Sequence, residues 1–201
     1  MRILVFGDSI TWGSYDLEYG GWVSRLRNNF EENSDVEVYN LGISGNHVED
    51  LLKRFEFETK QRLKEDKGLS FIFAIGINDA QFVHSKDSFR TNSNKFNKGI
   101  EKLIKLAKKF SSKIYFVGLT SVDESKTNPT SWNKNKSYRN KDIKEYDNLI
   151  KSSCEKNNIP FIEIFNKFIN QNYRDLLEDG LHPNSKGHEL IYEEVKRVLK
   201  F

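Results

Sequence analysis

Much of what would place this chain in a familiar class is missing from it. One cysteine in 201 residues, Cys154, rules out an intrachain disulfide. Because it falls on the apolar stripe of a helical pattern, it reads as a buried, unreactive thiol. No apolar run approaches the roughly 18 residues needed for a membrane span. There is no G-x-G-x-x-G, no P-loop lysine and no H-E-x-x-H, so no nucleotide cofactor and no metal is implied. Charge of one sign is also scarce: 32 Lys and Arg stand against 29 Asp and Glu, for a net charge of +3. The basic residues are scattered where a nucleic-acid binder would gather them on one face. Only Lys126 to Lys144 is locally basic, with Trp132 and Tyr138 interleaved, and a solvated loop accounts for that. Internal repeats and low-complexity linkers are absent. The first strand-like run begins at residue 2, which leaves no room for a secretory leader. Unless the chain is a processed form, a cytoplasmic location is expected.

What is present suits one domain over residues 1–201 with a sizeable core. Hydrophobic residues make up 37% of the chain, and 15 Phe and 8 Tyr supply bulk. Apolar runs predict strands at Arg2–Phe6, Val36–Asn40, Leu69–Ile75, Lys113–Leu119 and Phe161–Ile164. Phe71-Ile72-Phe73-Ala74-Ile75 does not alternate with polar residues, as expected of a strand buried on both faces. Between the runs lies helical spacing: Val23, Leu26 and Phe30; Phe96, Ile100, Leu103, Ala107 and Phe110; Ile143, Tyr146, Ile150 and Cys154; Ile191, Val195 and Val198. Asn184 or Ser185 is the expected N-cap of the last helix. The expected fold class is α/β, a three-layer α/β/α arrangement of flavodoxin-like type. Its sheet has about five parallel strands in the order 2-1-3-4-5. The connection from Thr120 to Asn140 is long enough to be a substrate-contacting flap or a disordered loop; its position after a strand's carboxyl end favours the flap.

Short polar motifs follow the apolar runs. Ser9 sits where the first run breaks onto Gly7-Asp8-Ser9-Ile10, at the rim of the sheet, and is a candidate nucleophile. Asp179-Gly180-Leu181-His182-Pro183 sets a carboxylate three residues before an imidazole in a segment that Gly and Pro keep from being helical, so the carboxylate can orient the ring. Asn40-Leu41-Gly42-Ile43-Ser44-Gly45-Asn46 and Gly76-Ile77-Asn78-Asp79 each follow a strand-like run. In an open parallel sheet, ligands bind outside the carboxyl ends of the strands.

Taken in order, these blocks resemble those of the SGNH (GDSL) hydrolases. Ser9 matches that family's nucleophile, Gly45 its glycine, Asn78 its asparagine, and Asp179 with His182 its D-x-x-H. The blocks span nearly the whole chain, and the one departure is Ile10, where the family usually has Leu. Singly, each residue has an ordinary reading: Ser9 as a turn or capping serine, Gly45 as a turn glycine, Asn78-Asp79 as a capping pair. His182 alone would be a loop histidine, as His47, His84 and His188 are expected to be. Those readings give no reason for all four blocks to occur together and in order.

The resemblance implies a serine esterase or lipase of GDSL type, cleaving small acyl or acetyl esters through an acyl-enzyme on Ser9. His182 would act as base and then acid, with Asp179 holding the ring's tautomer. The backbone N–H groups of Ser9 and Gly45 and the side-chain amide of Asn78 would form the oxyanion hole. At Gly45 a Cβ is expected to crowd the oxyanion or the approaching backbone. Asp8 is expected to shape its turn, and Asp79 to support the Asn78 loop. Trp12 and Tyr15 beside the nucleophile, and Trp132 in the long connection, are candidate substrate contacts. A small-molecule ester is the expected partner. Two alternatives stay open: acyl transfer to an acceptor other than water by the same residues, and a non-catalytic binding module on the same fold. The α/β-hydrolase elbow G-x-S-x-G is absent, which argues against that other fold.

Overall fold

Strand β1 (Arg2–Gly7) is buried along its whole length, which an unbroken Ile-Leu-Val-Phe run requires of a strand covered on both faces. It lies between β2 (Glu37–Gly42) and β3 (Leu69–Ala74), parallel to both. The structure, a computed structural model, describes residues 1–65 and 67–199. Beyond β3 the main sheet continues in parallel with β6 (Ile114–Val117) and β8 (Phe161–Ile162). Its order is β2-β1-β3-β6-β8, the expected 2-1-3-4-5. Ile75, Gly118 to Leu119 and Glu163 to Ile164, expected to extend their strands, lie outside them.

Helices α2 (Trp22–Asn33) and α8 (Ser185–Val198) pack against each other. So do α3 (Val48–Lys60), α4 (Ser93–Ala107) and α6 (Asn140–Asn157), each with its neighbour. Most of the expected stripes are buried: Val23 and Leu26 on α2, Ile143, Tyr146, Ile150 and Cys154 on α6, and Ile191 and Val195 on α8, whereas Val198 is exposed, Phe110 lies beyond the end of α4, and the α3 stripe was not expected. On α4 the buried stripe is Phe96, Gly99, Ile100, Leu103, Ile104 and Ala107, positions three and four apart. Phenylalanines fill the space between helices and sheet: Phe6, Phe55, Phe71 and Phe73 lie with ring centroids 5.2–6.4 Å apart, within the range of favourable aromatic pairs. Cys154 is fully buried, and burial pushes its thiol up to about 12, so the thiolate that would react is suppressed.

Three features were not visible in the sequence. A second sheet of antiparallel strands joins β5 (Ser88–Phe89), β4 (Phe82–Val83) and β7 (Lys136–Ser137). The long connection is ordered, containing α5 (Glu124–Thr127), a Thr127–Thr130 bridge and β7. His188 is no loop histidine: it lies on α8 and is fully buried. The remaining short helices are α1 (Ser9–Trp12) and α7 (Phe165–Ile169). Among the described residues, no helix is long and apolar enough to cross a membrane.

Candidate active site

Register alone brings three of the four blocks together. Gly7, the last residue of β1, is opposite Gly42 on β2 and Ala74 on β3, so the three strands end level. Ser9, Gly45 and Asn78 follow within four residues of those ends and line one cleft of about 350 Å³. Gly7 must be glycine because an added Cβ would stand 1.9 Å from the Thr11 hydroxyl and 2.4 Å from the Ala74 carbonyl. That close approach turns the chain straight into α1. Asp8 caps α1, accepting the Ile10 N–H at 3.0 Å. Burial pushes its carboxyl up to about 6 against the lowering effect of that bond.

The fourth block arrives from the turn before α8. Glu178 N–H donates to the His182 carbonyl, Leu177 bridges Pro183, and Asp123 N–H donates to the Gly180 carbonyl. Asn184 caps α8 through the N–H groups of Lys186 and Gly187. Within this turn Asp179 Oδ1 accepts the N–H groups of Leu181 and His182 at 2.9 and 2.8 Å, while Oδ2 lies 2.8 Å from His182 Nδ1. On the other side of the ring, Nε2 is 3.0 Å from Ser9 Oγ. Burial raises the Asp179 carboxyl, but the His182 ring and the two backbone donors outweigh it and hold it below the usual carboxylate value.

Gly45 has φ +78°, the left-handed region in which glycine is favoured. The crowding expected there is not found: an added Cβ would meet no protein atom within 4 Å, because its direction points into open space. Backbone conformation, not contact, accounts for the glycine. Asn78 Nδ2 donates to the Asn46 carbonyl at 3.1 Å, and its Oδ1 accepts the Tyr138 hydroxyl at 3.2 Å. One Nδ2 hydrogen is thereby committed and the other is left for the cleft. Tyr138 is itself held by Gln81 Nε2, and burial pushes its phenol up to about 12. Asn46 is fixed in turn by Arg54, whose guanidinium also donates to the carbonyls of Gly7 and Leu41. Asp79 accepts the Val48 N–H at 3.1 Å, so it supports the start of α3 as well as the Asn78 loop. Burial pushes its carboxyl up to about 7. Tyr138, Gln81 and Arg54 were not singled out from sequence; each acts through partners many residues away and carries no local motif.

The aromatic candidates divide. Tyr15 and Trp132 line the cleft and are about half exposed. The Tyr15 ring centroid is 5.2 Å from that of His182, and the negative charge of Asp179 raises its phenol. Tyr15 has φ +67°, costly for a residue with a Cβ, about 1–2 kcal/mol. Its loop is tied down by His188, whose Nδ1 accepts the Trp22 N–H and whose Nε2 faces the Ser14 carbonyl. Trp12 is exposed but does not line the cleft. Among the described residues, no group of three or more His, Cys, Asp or Glu could hold a metal ion.

This arrangement has the parts for acyl transfer: a hydroxyl beside an imidazole that is itself oriented by a carboxylate, and an amide that lines the same cleft. The uncharacterized protein YpmR of Bacillus subtilis (strain 168) is 24% identical over 218 residues, spanning 98% of this chain and 81% of its own length. Among solved structures, a lipase/acylhydrolase from Enterococcus faecalis superposes with a TM-score of 0.78 at 24% identity, covering 98% of this chain and 93% of that one. Axe2, an acetylxylan esterase from Geobacillus stearothermophilus, gives 0.74 at 21% identity, covering 100% and 94%. These structural likenesses bear on the fold. Residues 5–190 match the model of the GDSL-like Lipase/Acylhydrolase family, and the chain belongs to that family.

Proposed function

We propose that this protein is a carboxylic ester hydrolase working through an acyl-enzyme on Ser9. The observation that carries the reading is the continuous contact from Ser9 Oγ to His182 Nε2 at 3.0 Å and from His182 Nδ1 to Asp179 Oδ2 at 2.8 Å. In the first half-reaction Ser9 Oγ attacks the ester carbonyl while His182 Nε2 takes its proton. The same proton then goes to the departing alkoxide. In the second, water attacks the acyl group, His182 takes a proton from it, and Ser9 Oγ leaves with that proton. Asp179 keeps the Nδ1 proton on its side of the ring throughout and stabilises the imidazolium. The oxyanion of each tetrahedral intermediate would be met by the N–H groups of Ser9 and Gly45 and by the free Nδ2 hydrogen of Asn78.

A small acyl group fits this cleft best. Among the described residues lining it, Leu181 is the one aliphatic side chain, and the other apolar surface is that of the Tyr15, Trp132 and Tyr138 rings among polar groups, which gives a long acyl chain no continuous aliphatic channel. The acetylxylan esterase among the structural neighbours is consistent with acetyl as that group. The test is turnover of p-nitrophenyl acetate, butyrate and octanoate by wild type and Ser9→Ala. The expected result is activity on the short esters that disappears in Ser9→Ala; wild-type turnover that survives the substitution overturns the assignment.

A further inference from the structure

We propose that the cleft selects esters carrying an anionic group, a carboxylate or a phosphate, which Arg90 and Lys136 bind. This rests on the ester-hydrolase reading above and names its substrate class. Both cations line the cleft that holds Ser9 and His182, and no carboxylate shares that lining. The small antiparallel sheet puts them there. Pairing sets Phe82 opposite Phe89 and Ser137, and Val83 opposite Ser88 and Lys136. The next row holds Gln81, Arg90 and Tyr138, with Arg90 N–H donating to the Gln81 carbonyl and Gln81 Nε2 bonded to the Tyr138 hydroxyl. Side chains alternate between faces, so Arg90 and Lys136, two rows apart, project from the same face as Tyr138, the residue that orients Asn78. The other face carries Phe82 and Phe89, whose rings pack edge to face.

Neither cation is committed to an ion pair within the protein, although the charge of Arg90 also acts on the buried Asp79 carboxyl, lowering it against the larger effect of burial. Among the described residues, no carboxylate oxygen lies within 4.0 Å of the Arg90 guanidinium or the Lys136 ammonium, whereas Arg2, Arg25, Arg62, Arg139 and Lys144 all have such partners. The carboxylates nearest the site are engaged elsewhere: Asp8 on Ile10 N–H, Asp79 on Val48 N–H, Asp179 on His182. Two cations without an ion-pair partner on one face of the small sheet, in a cleft whose lining carries no carboxylate, favour an anion. Trp132 adds a half-exposed ring on the same wall.

The test compares three para-substituted phenyl acetates, p-acetoxybenzamide, which is uncharged, p-acetoxybenzoate and p-acetoxyphenyl phosphate, each kcat/KM being divided by that ester's own hydroxide-catalysed rate so that differences between the leaving phenols cancel. The readout is the ratio of kcat/KM for each anionic ester to that for the amide. Wild type is expected to favour at least one anionic ester by about tenfold at low salt, a preference that shrinks as salt screens it. Arg90→Gln and Lys136→Gln should each lower the ratio about threefold, and the double variant about tenfold, as partly exposed charge pairs allow. Which anionic ester leads separates carboxylate from phosphate recognition. A wild-type ratio near one, or a ratio unchanged in the double variant, overturns the proposal. If wild type hydrolyses none of the three, the ester-hydrolase reading fails for these acetyl esters, and binding of phenyl phosphate and benzoate followed by tryptophan fluorescence decides the anion site separately. Binding about tenfold weaker in the double variant upholds it; no binding, or equal binding, overturns it.

Discussion

Replacing Asp179 by Asn should damage the enzyme more than replacing it by Ala, although Asn is the closer mimic. Asp179 Oδ1 already accepts two backbone N–H groups, from Leu181 and His182. An Asn side chain in the same place has one oxygen, and the two donors claim it, since an amide nitrogen there would face them donor to donor. The NH₂ then faces His182 Nδ1, which must become an acceptor. The ring proton moves to Nε2, the atom 3.0 Å from Ser9 Oγ, and the imidazole can no longer take the hydroxyl proton. A wrong tautomer of this kind costs roughly ten-thousandfold in turnover, about 5 kcal/mol at 1.36 kcal/mol per decade. In Asp179→Ala, water can enter beside Nδ1 and the ring regains access to both tautomers, while the Tyr15 ring still flanks it; a loss on the order of a hundred- to a thousandfold is expected. The assay is kcat/KM for p-nitrophenyl acetate, with nitrogen NMR of the His182 ring to read the tautomer. Asp179→Asn keeping more than about a tenth of wild-type turnover, or being milder than Asp179→Ala, would refute this reasoning.

Other perturbations probe the supports of the site. Tyr138→Phe removes the donor to Asn78 Oδ1 and leaves Gln81 Nε2 without its partner; kcat should fall about tenfold with KM little changed, and stability by about 1–2 kcal/mol. A kcat equal to wild type in steady-state assays would show that Asn78 needs no such support. His188→Ala strands the Trp22 N–H and the Ser14 carbonyl, for an expected loss of about 2–4 kcal/mol in urea denaturation; a loss below about 1 kcal/mol would contradict that. Burial raises the Asp8 carboxyl from 3.8 to about 6. The native state therefore holds more protons than the unfolded chain between those values, and stability falls as pH rises through that window. The gap corresponds to on the order of 3 kcal/mol. Asp8→Asn retains the oxygen that caps Ile10 and should reduce this slope in urea titrations from acid to neutral pH, leaving the part that Asp79, likewise raised by burial, contributes; a slope equal to wild type would exclude Asp8 as a contributor.

The fold and the convergence of the candidate site residues were legible for a common reason. Strands such as Arg2–Gly7 and Leu69–Ala74 are continuous apolar runs, and the groups able to do chemistry sit where those runs stop. Level strand ends, Gly7, Gly42 and Ala74, then bring Ser9, Gly45 and Asn78 together without further instruction. The supporting residues were not legible because their roles are long-range. Tyr138 reaches Asn78 across 60 positions and Arg54 reaches back 47 to the Gly7 carbonyl. Strands of two residues, such as Phe82–Val83 and Lys136–Ser137, are too short to display a period, so the sheet that carries Arg90 and Lys136 left no pattern to read. His188 was misread for a similar reason: its ring is neutral, buried and spent on two backbone groups of a distant loop, which a sequence shows only as one more histidine.

The most direct test of the central claim, that Ser9 is an activated nucleophile, is fluorophosphonate labelling with the modified peptide mapped by mass spectrometry. One adduct is expected, on Ser9, absent from Ser9→Ala and strongly slowed in Asp179→Asn. An unlabelled Ser9, or labelling that persists undiminished in Asp179→Asn, would contradict it.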